Sequence, residues 1–232
     1  MFLPDLVFGC LEQALTDRVP AESTDSLWNV RVAAAKSGQA PAFMVTSFHS
    51  GGAGARPGLD GLSATPFPSG VRNVPIEITE AITPVVVWKK ELRRDSGGAG
   101  RRRGGLGQVM VVGLRDDRPM TLYARFERVD NPARGRQGGE AGAHGTVSLS
   151  SGQSLKPKGM QTVPPGDRVV IEMPGGGYGD PATRDVAAAA EDVRLGYVSP
   201  HAARSRYKVA VDARGEVDQV ETARLRRARE RS

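Results

Sequence analysis

The chain has 232 residues, 39% hydrophobic and 25% charged, with 29 glycines, 16 prolines and a formal net charge of +6. That length suits one large domain or two small ones with a real core, and the glycine and proline content argues for many turns and against a helical bundle. A single cysteine, Cys10, excludes an internal disulfide framework and a cysteine-only metal site; no stretch approaches the roughly 18 apolar residues of a membrane span; and the 5% of aromatics do not interleave with the arginines as a nucleic-acid stacking surface requires.

In chain order, Leu3, Leu6, Val7, Leu11 and Leu15 predict a short helix over 3–16. Its lack of a basic leading segment, with Asp5 and Glu12 inside it, predicts no secretory leader. The polar run 20–26 is a loop, and 27–35 and 41–47 are strands joined by a turn at Gly38. A long glycine- and proline-rich stretch, 49–75, has no periodicity, and segments of that length are more often functional. Residues 76–83 fit a short helix or a strand, and 84–92 a strand. Residues 107–114 and 119–127 predict a β-hairpin around Asp116–Asp117, 128–145 a loop, and 145–149, 160–163 and 168–173 further short strands.

The last third changes character. An alanine-rich helix is predicted over 182–195 with Gly196 just past its end, and a second over 200–206 with Ser199 as cap and Pro200 at its first position. A strand over 207–211 and a turn at 212–215 precede a final helix over 219–230, opened by Asp218 and Glu221 as a capping box. The expected fold is α+β: a β-rich body with long glycine-rich loops over 1–181, and a helical C-terminal segment over 182–232 packed on it.

One pattern occurs twice. Residues 49–58 read HSGGAGARPG and 95–105 read DSGGAGRRRGG, each after a strand-like stretch. Glycine clusters let backbone N–H groups approach a ligand, and arginine adds a planar fork for carboxylate, phosphate or carbonyl oxygens. There is no Walker A sequence, no GxSxG elbow and no metal-ligand spacing among His49, His144 and His201. Gly177, Gly179 and Ala182 match a dinucleotide pattern, but Pro181 and a missing downstream acidic residue favour a tight strand-to-helix turn. Glu77 and Glu80, three apart, are a weak acid–base signal.

Several long motifs occur together: GGAGARPGLDGLSATPFPSGVRNVPIEITE (51–80), ELRRDSGGAGRRRGGLGQ (91–108), PPGDRVVIEMPGGGYGDPATRD (164–185) and DVRLGYVSPHAARSRYKVAVD (192–212). In that order they resemble the hydantoinase B/oxoprolinase family, over its C-terminal portion. The resemblance implies a cytoplasmic B-type subunit that works with an ATP-binding A-type subunit, so that ATP sits on the partner. Activated by ATP, a cyclic amide such as a hydantoin or 5-oxoproline is opened by water; related complexes carboxylate ketones instead. Since family B subunits are more than twice this length, it also implies a split subunit, a truncated reading frame or a domain that requires a separate N-terminal B fragment, and it places any divalent metal in that missing half. No metal ligand is assigned to this chain, and neither nucleic acid nor membrane is an expected partner.

On the motif residues the resemblance implies a site. Arg56 and Arg72, with Asn73, orient a carboxylate or imide oxygen; the loop around Gly51 and Gly52 stabilises developing negative charge; His49 or Asp60 positions water or relays a proton. A non-catalytic assembly module that docks a partner through the basic tail is the reading from another class.

Overall fold

The computed structural model describes residues 2–25, 27–173 and 175–229. Eight strands form two four-stranded antiparallel sheets. They are β1 (Trp28–Ala34), β2 (Phe43–His49), β3 (Val85–Leu92), β4 (Gln108–Leu114), β5 (Met120–Arg125), β6 (Thr146–Leu149), β7 (Lys158–Val163) and β8 (Val169–Glu172). One sheet runs β2-β1-β5-β7 and the other β3-β4-β8-β6. Alternating residues such as Val30, Val32 and Leu122 of the first sheet, and Met110, Val112, Val169 and Ile171 of the second, share one buried cluster, as period-2 patterning requires. Trp28 stacks on Phe126 at its centre, ring centroids 4.5 Å apart. The architecture is α+β, as the sequence predicts.

The predicted hairpin over 107–127 is not formed. β4 pairs with β3 and β8, and β5 with β1 and β7, so the link between β4 and β5 crosses from one sheet to the other. Arg118 explains the crossing. Its buried guanidinium donates to the carbonyls of Ala35 and Pro41 at 2.9 and 2.7 Å, pinning the link to the β1–β2 turn of the first sheet. The predicted strand over 207–211 joins no sheet, for it makes only a bridge from Val211 to Val217. Its buried Tyr207 and Val209 pack instead among the helices α3 (Val186–Arg194) and α4 (Pro200–Ser205).

The ambiguous segment 76–83 is helix α2 (Ile76–Ile82), and the chain closes on α5 (Gln219–Arg229). The helix predicted over 182–195 is broken at its start. Asp180 caps a 3₁₀ turn over Pro181–Thr183, Arg184 is extended, and Asp185 caps α3 by accepting from Ala188 N at 2.9 Å. Gly196, at φ +75°, ends α3 as expected.

Between sheets and helices lies a core made of backbone. Extended runs around 51–55, 61–64, 97–100, 103–106, 139–142 and 175–178 lie side by side and exchange main-chain hydrogen bonds. Gly105 N donates to Ala53 O, Ala55 N to Gly176 O, Gly98 N to Gly175 O and Gly177 N to Glu140 O, at 2.7–3.0 Å. Few of these glycines have positive φ. They are glycine because the neighbouring chain occupies the place of a side chain: a Cβ on Gly52 would lie 1.9 Å from Gly105 O. The crowding is the same that imposes glycine along the axis of a triple helix.

The helix predicted at the N-terminus is shorter, α1 (Leu3–Leu11), and it is turned inside out. Leu3, Leu6, Val7 and Leu11 are exposed, and its one buried side chain is Asp5. Asp5, Glu22 and Asp25 converge on Arg128 at 2.6, 2.9 and 3.3 Å. Burial, then the hydrogen bond and charge of Asp5, push Asp25 up to about 9, and Asp5 is raised as well, so the pair keeps a proton at neutral pH. Burial would also raise Glu22, but hydrogen bonds from Arg134 and the charge of Arg128 hold it below its usual value.

Candidate functional site at the open edge of the sandwich

β2 and β3 are both edge strands, and a cavity of about 110 Å³ opens between them, covered by α2 and residues 72–76. Ser47 and His49 are successive inward residues of β2, and both line it. Lys90 enters from β3 through a bulge. Val87 pairs with Val112 and Lys89 with Val111, so Trp88 is the extra residue and Lys90, opposite Met110, returns to the inner face. Strict alternation would have turned Lys89 inward; instead Lys89 points out and pairs with Glu91 at 2.7 Å. Arg72 and Asn73 stand exposed at the mouth, and Val74, Ile76, Val87, Met110 and Val112 supply an apolar wall.

Ser47 Oγ and His49 Nε2 are 2.8 Å apart. Burial, and then the charge of Lys90, push the imidazole down to about 3, so it is neutral at physiological pH. In either tautomer Nδ1 stays buried without a protein partner, a hydrogen-bonding position left for something in the cavity. An imidazole held that low positions water or a carbonyl well and is a poor proton carrier near pH 7. Burial also lowers Lys90.

The structure thus brings His49, Arg72 and Asn73 together and separates them from Asp60, Arg56, Gly51 and Gly52. Asp60 belongs to a buried ionic cluster. Its Oδ1 accepts from Arg103 N and Arg184 Nη1 and its Oδ2 from Arg184 Nη2, all at 2.8 Å, while Arg184 and Arg103 reach Asp192 at 2.8 and 3.2 Å. Burial would raise Asp60, but the hydrogen bond and charge of Arg184 hold it low. Arg56 Nη2 donates to Asp60 O at 2.9 Å. A Cβ on Gly51 would meet Thr24 Oγ1 at 1.9 Å, and in the same loop Ala53 N donates to Leu62 O and Gly54 N to Ser23 Oγ, both at 2.9 Å. The N–H groups of Ala53 and Gly54 are thus taken up by the backbone core. The second loop does the same work, and its Arg103 is buried on Asp192.

Ser47 and Lys90 escape a motif search. The predicted strand ends at 47, whereas β2 runs on to His49 and so places Ser47, two residues earlier, on the same face. Lys90 depends on the bulge, for which VVVWKKEL carries no local sign. His144 turns Nδ1 toward Val129 O at 2.6 Å, and His201 is exposed. Among the described residues no three His, Cys, Asp or Glu side chains are placed to hold a metal, and no helix is long and apolar enough to cross a membrane.

The sequence model of the hydantoinase B/oxoprolinase family matches residues 1–181, and the chain belongs to that family. The caprolactamase subunit beta of Pseudomonas jessenii is 33% identical over 95% of this chain and 40% of its own length. The crystal structure of the ATP-dependent caprolactamase from the same organism superposes with a TM-score of 0.78 at 27% identity, over 94% of this chain and 40% of that one. A nucleotide-free acetone carboxylase shares the fold, with a TM-score of 0.70 at 23% identity over 95% of this chain and 35% of that one. The chain spans about two fifths of the length of the curated relatives it matches along its whole length.

Proposed function

We propose that this chain is the C-terminal part of a B-type subunit that takes part in ATP-dependent hydrolytic ring opening of a cyclic amide, a hydantoin, 5-oxoproline or a lactam of similar size. The observation that carries the proposal is the likeness to caprolactamase over nearly the whole chain in both sequence and fold. The His49 cavity supports it, for it offers a neutral hydrogen-bonding imidazole and two cations to the carboxylate end of the opened product. ATP belongs to an A-type partner in this reading, and a divalent metal to the part of the relatives that this chain does not span. Among the described residues no three His, Cys, Asp or Glu side chains are placed to hold one.

The exposed apolar face of α1, Leu3, Leu6, Val7 and Leu11, supports a further B fragment docking there. The proposed setting is the cytoplasm. The test is ATP-dependent hydrolysis of hydantoin, 5-oxoproline and caprolactam by the chain combined with an A-type subunit and an N-terminal B fragment. Turnover that needs all three proteins is expected; none in any combination removes the enzymatic reading. Ketone carboxylation is a second reading that the shared acetone carboxylase fold keeps open. Turnover indifferent to bicarbonate would eliminate it.

A further inference from the structure

We propose that the cavity between β2 and β3 binds a short aliphatic carboxylate, its head between Lys90 and Arg72 and its alkyl chain against Val87, Met110 and Val112. Three observations converge on that ligand. The first is charge. Lys89, the neighbour of Lys90 on β3, is paired with Glu91 at 2.7 Å, and elsewhere in the fold Arg93 pairs with Glu172 at 3.2 Å while Arg103, Arg118, Arg128 and Arg184 all reach carboxylates. Lys90 and Arg72 line the cavity with no carboxylate among its lining residues, so two positive charges meet in a partly apolar space. An uncompensated, half-buried ammonium is costly unless an anion joins it.

The second is the buried imidazole. His49 is 7% exposed, its Nε2 is occupied by Ser47, and its Nδ1 is unpartnered. A carboxylate oxygen, or the water it carries, completes that set. The third is size and wall. A cavity of about 110 Å³ is somewhat smaller than the roughly 150 Å³ that accommodates a benzene ring, so a six-heavy-atom acid such as butyrate fits only with its carboxylate at the mouth beside the exposed Arg72, and a much longer chain does not fit. The apolar wall selects a ligand with an alkyl portion over a bare inorganic anion.

The pocket's catalytic meaning rests on the function proposed above. When water opens a cyclic amide the C–N bond breaks, the water oxygen becomes a carboxylate oxygen, and a proton from the water goes to the released nitrogen, which ends as an amine from a lactam or as a urea NH2 from a hydantoin. The new carboxylate is the group this cavity would hold.

The experiment is calorimetric titration of the full 232-residue chain with sodium butyrate, alongside acetate, octanoate, butyramide and inorganic phosphate. Butyrate is expected to bind at least tenfold more tightly than butyramide, acetate or phosphate, and octanoate not to bind. Lys90→Met should weaken butyrate about tenfold or more, the range for hydrogen bonds to a charged group. Arg72→Gln, at an exposed position that the fold does not need, should weaken it too with an unchanged circular dichroism spectrum. Equal affinity for butyramide, tight octanoate binding, absent butyrate binding, or affinity unaltered in both variants would each overturn the proposal. Butyrate binding that persists while ATP-dependent turnover fails would strike only the proposed function.

Discussion

Replacing His49 by glutamine should make the protein progressively more stable relative to the parent chain as the pH falls from about 6 to about 4. In the folded protein the imidazole is pushed from 6.5 to about 3, so in this window the unfolded chain binds a proton at residue 49 that the folded chain refuses. Its stabilising contribution is present above 6.5 and is lost toward 3. Each unit of acidification therefore removes about 1.4 kcal/mol. Asp25 does the reverse. Raised from 3.8 to about 9, it keeps a proton that the unfolded chain releases, a contribution complete below 3.8 and lost toward 9. Acidification through the same window adds about the same amount per unit. The slopes oppose each other in the parent. With His49 gone, the variant's stability rises relative to the parent's by roughly 2–3 kcal/mol across the window, a sizeable part of the 5–15 kcal/mol typical of a domain. Asp60 and Glu22 are common to both proteins and cancel in the difference. Urea midpoints at half-unit pH steps, followed by tryptophan fluorescence with a constant denaturant slope, measure it. Parallel curves for parent and variant would refute the reasoning.

Asp25→Asn should raise the melting temperature by a few degrees at pH 8 and leave it nearly unchanged near pH 4; asparagine tolerates the φ of 58° and needs no proton to be neutral. Gly52→Ala should abolish soluble folded protein, since its Cβ meets backbone at 1.9 Å, whereas Gly58→Ala, with open space, should melt within about 1 kcal/mol of the parent. Asp60→Asn should cost about 2–3 kcal/mol of stability by thermal denaturation, because it leaves Arg184 short of a partner, and should leave butyrate binding untouched.

The alternation of WNVRVAA and VVIE was enough to place inward faces, and Ser199-Pro200 and Gly196 marked helix ends by local chemistry. Pairing was less legible. Asp116–Asp117 looks like a hairpin turn, and nothing nearby shows that Arg118 will seek carbonyls some 80 residues upstream at Ala35 and Pro41. At the site, His49, Arg72 and Asn73 were named from motifs and meet in one cavity. Asp60, Arg56, Gly51 and Gly52 come from the same motif, yet their density of glycine and arginine reports close backbone packing and a buried ionic cluster. A glycine needed for a neighbouring chain and a glycine needed for a ligand look identical in sequence.

The backbone core has a thermal consequence. Unfolding an aliphatic core wets hydrocarbon and raises the heat capacity, whereas wetting peptide groups lowers it. Where Gly52, Gly105 and Gly175 pack peptide against peptide, unfolding exposes amides and little else. The heat-capacity increment per residue should therefore fall below the usual 12–15 cal/mol/K or so. The stability curve of this protein is correspondingly broad, giving up little free energy on cooling or on moderate heating.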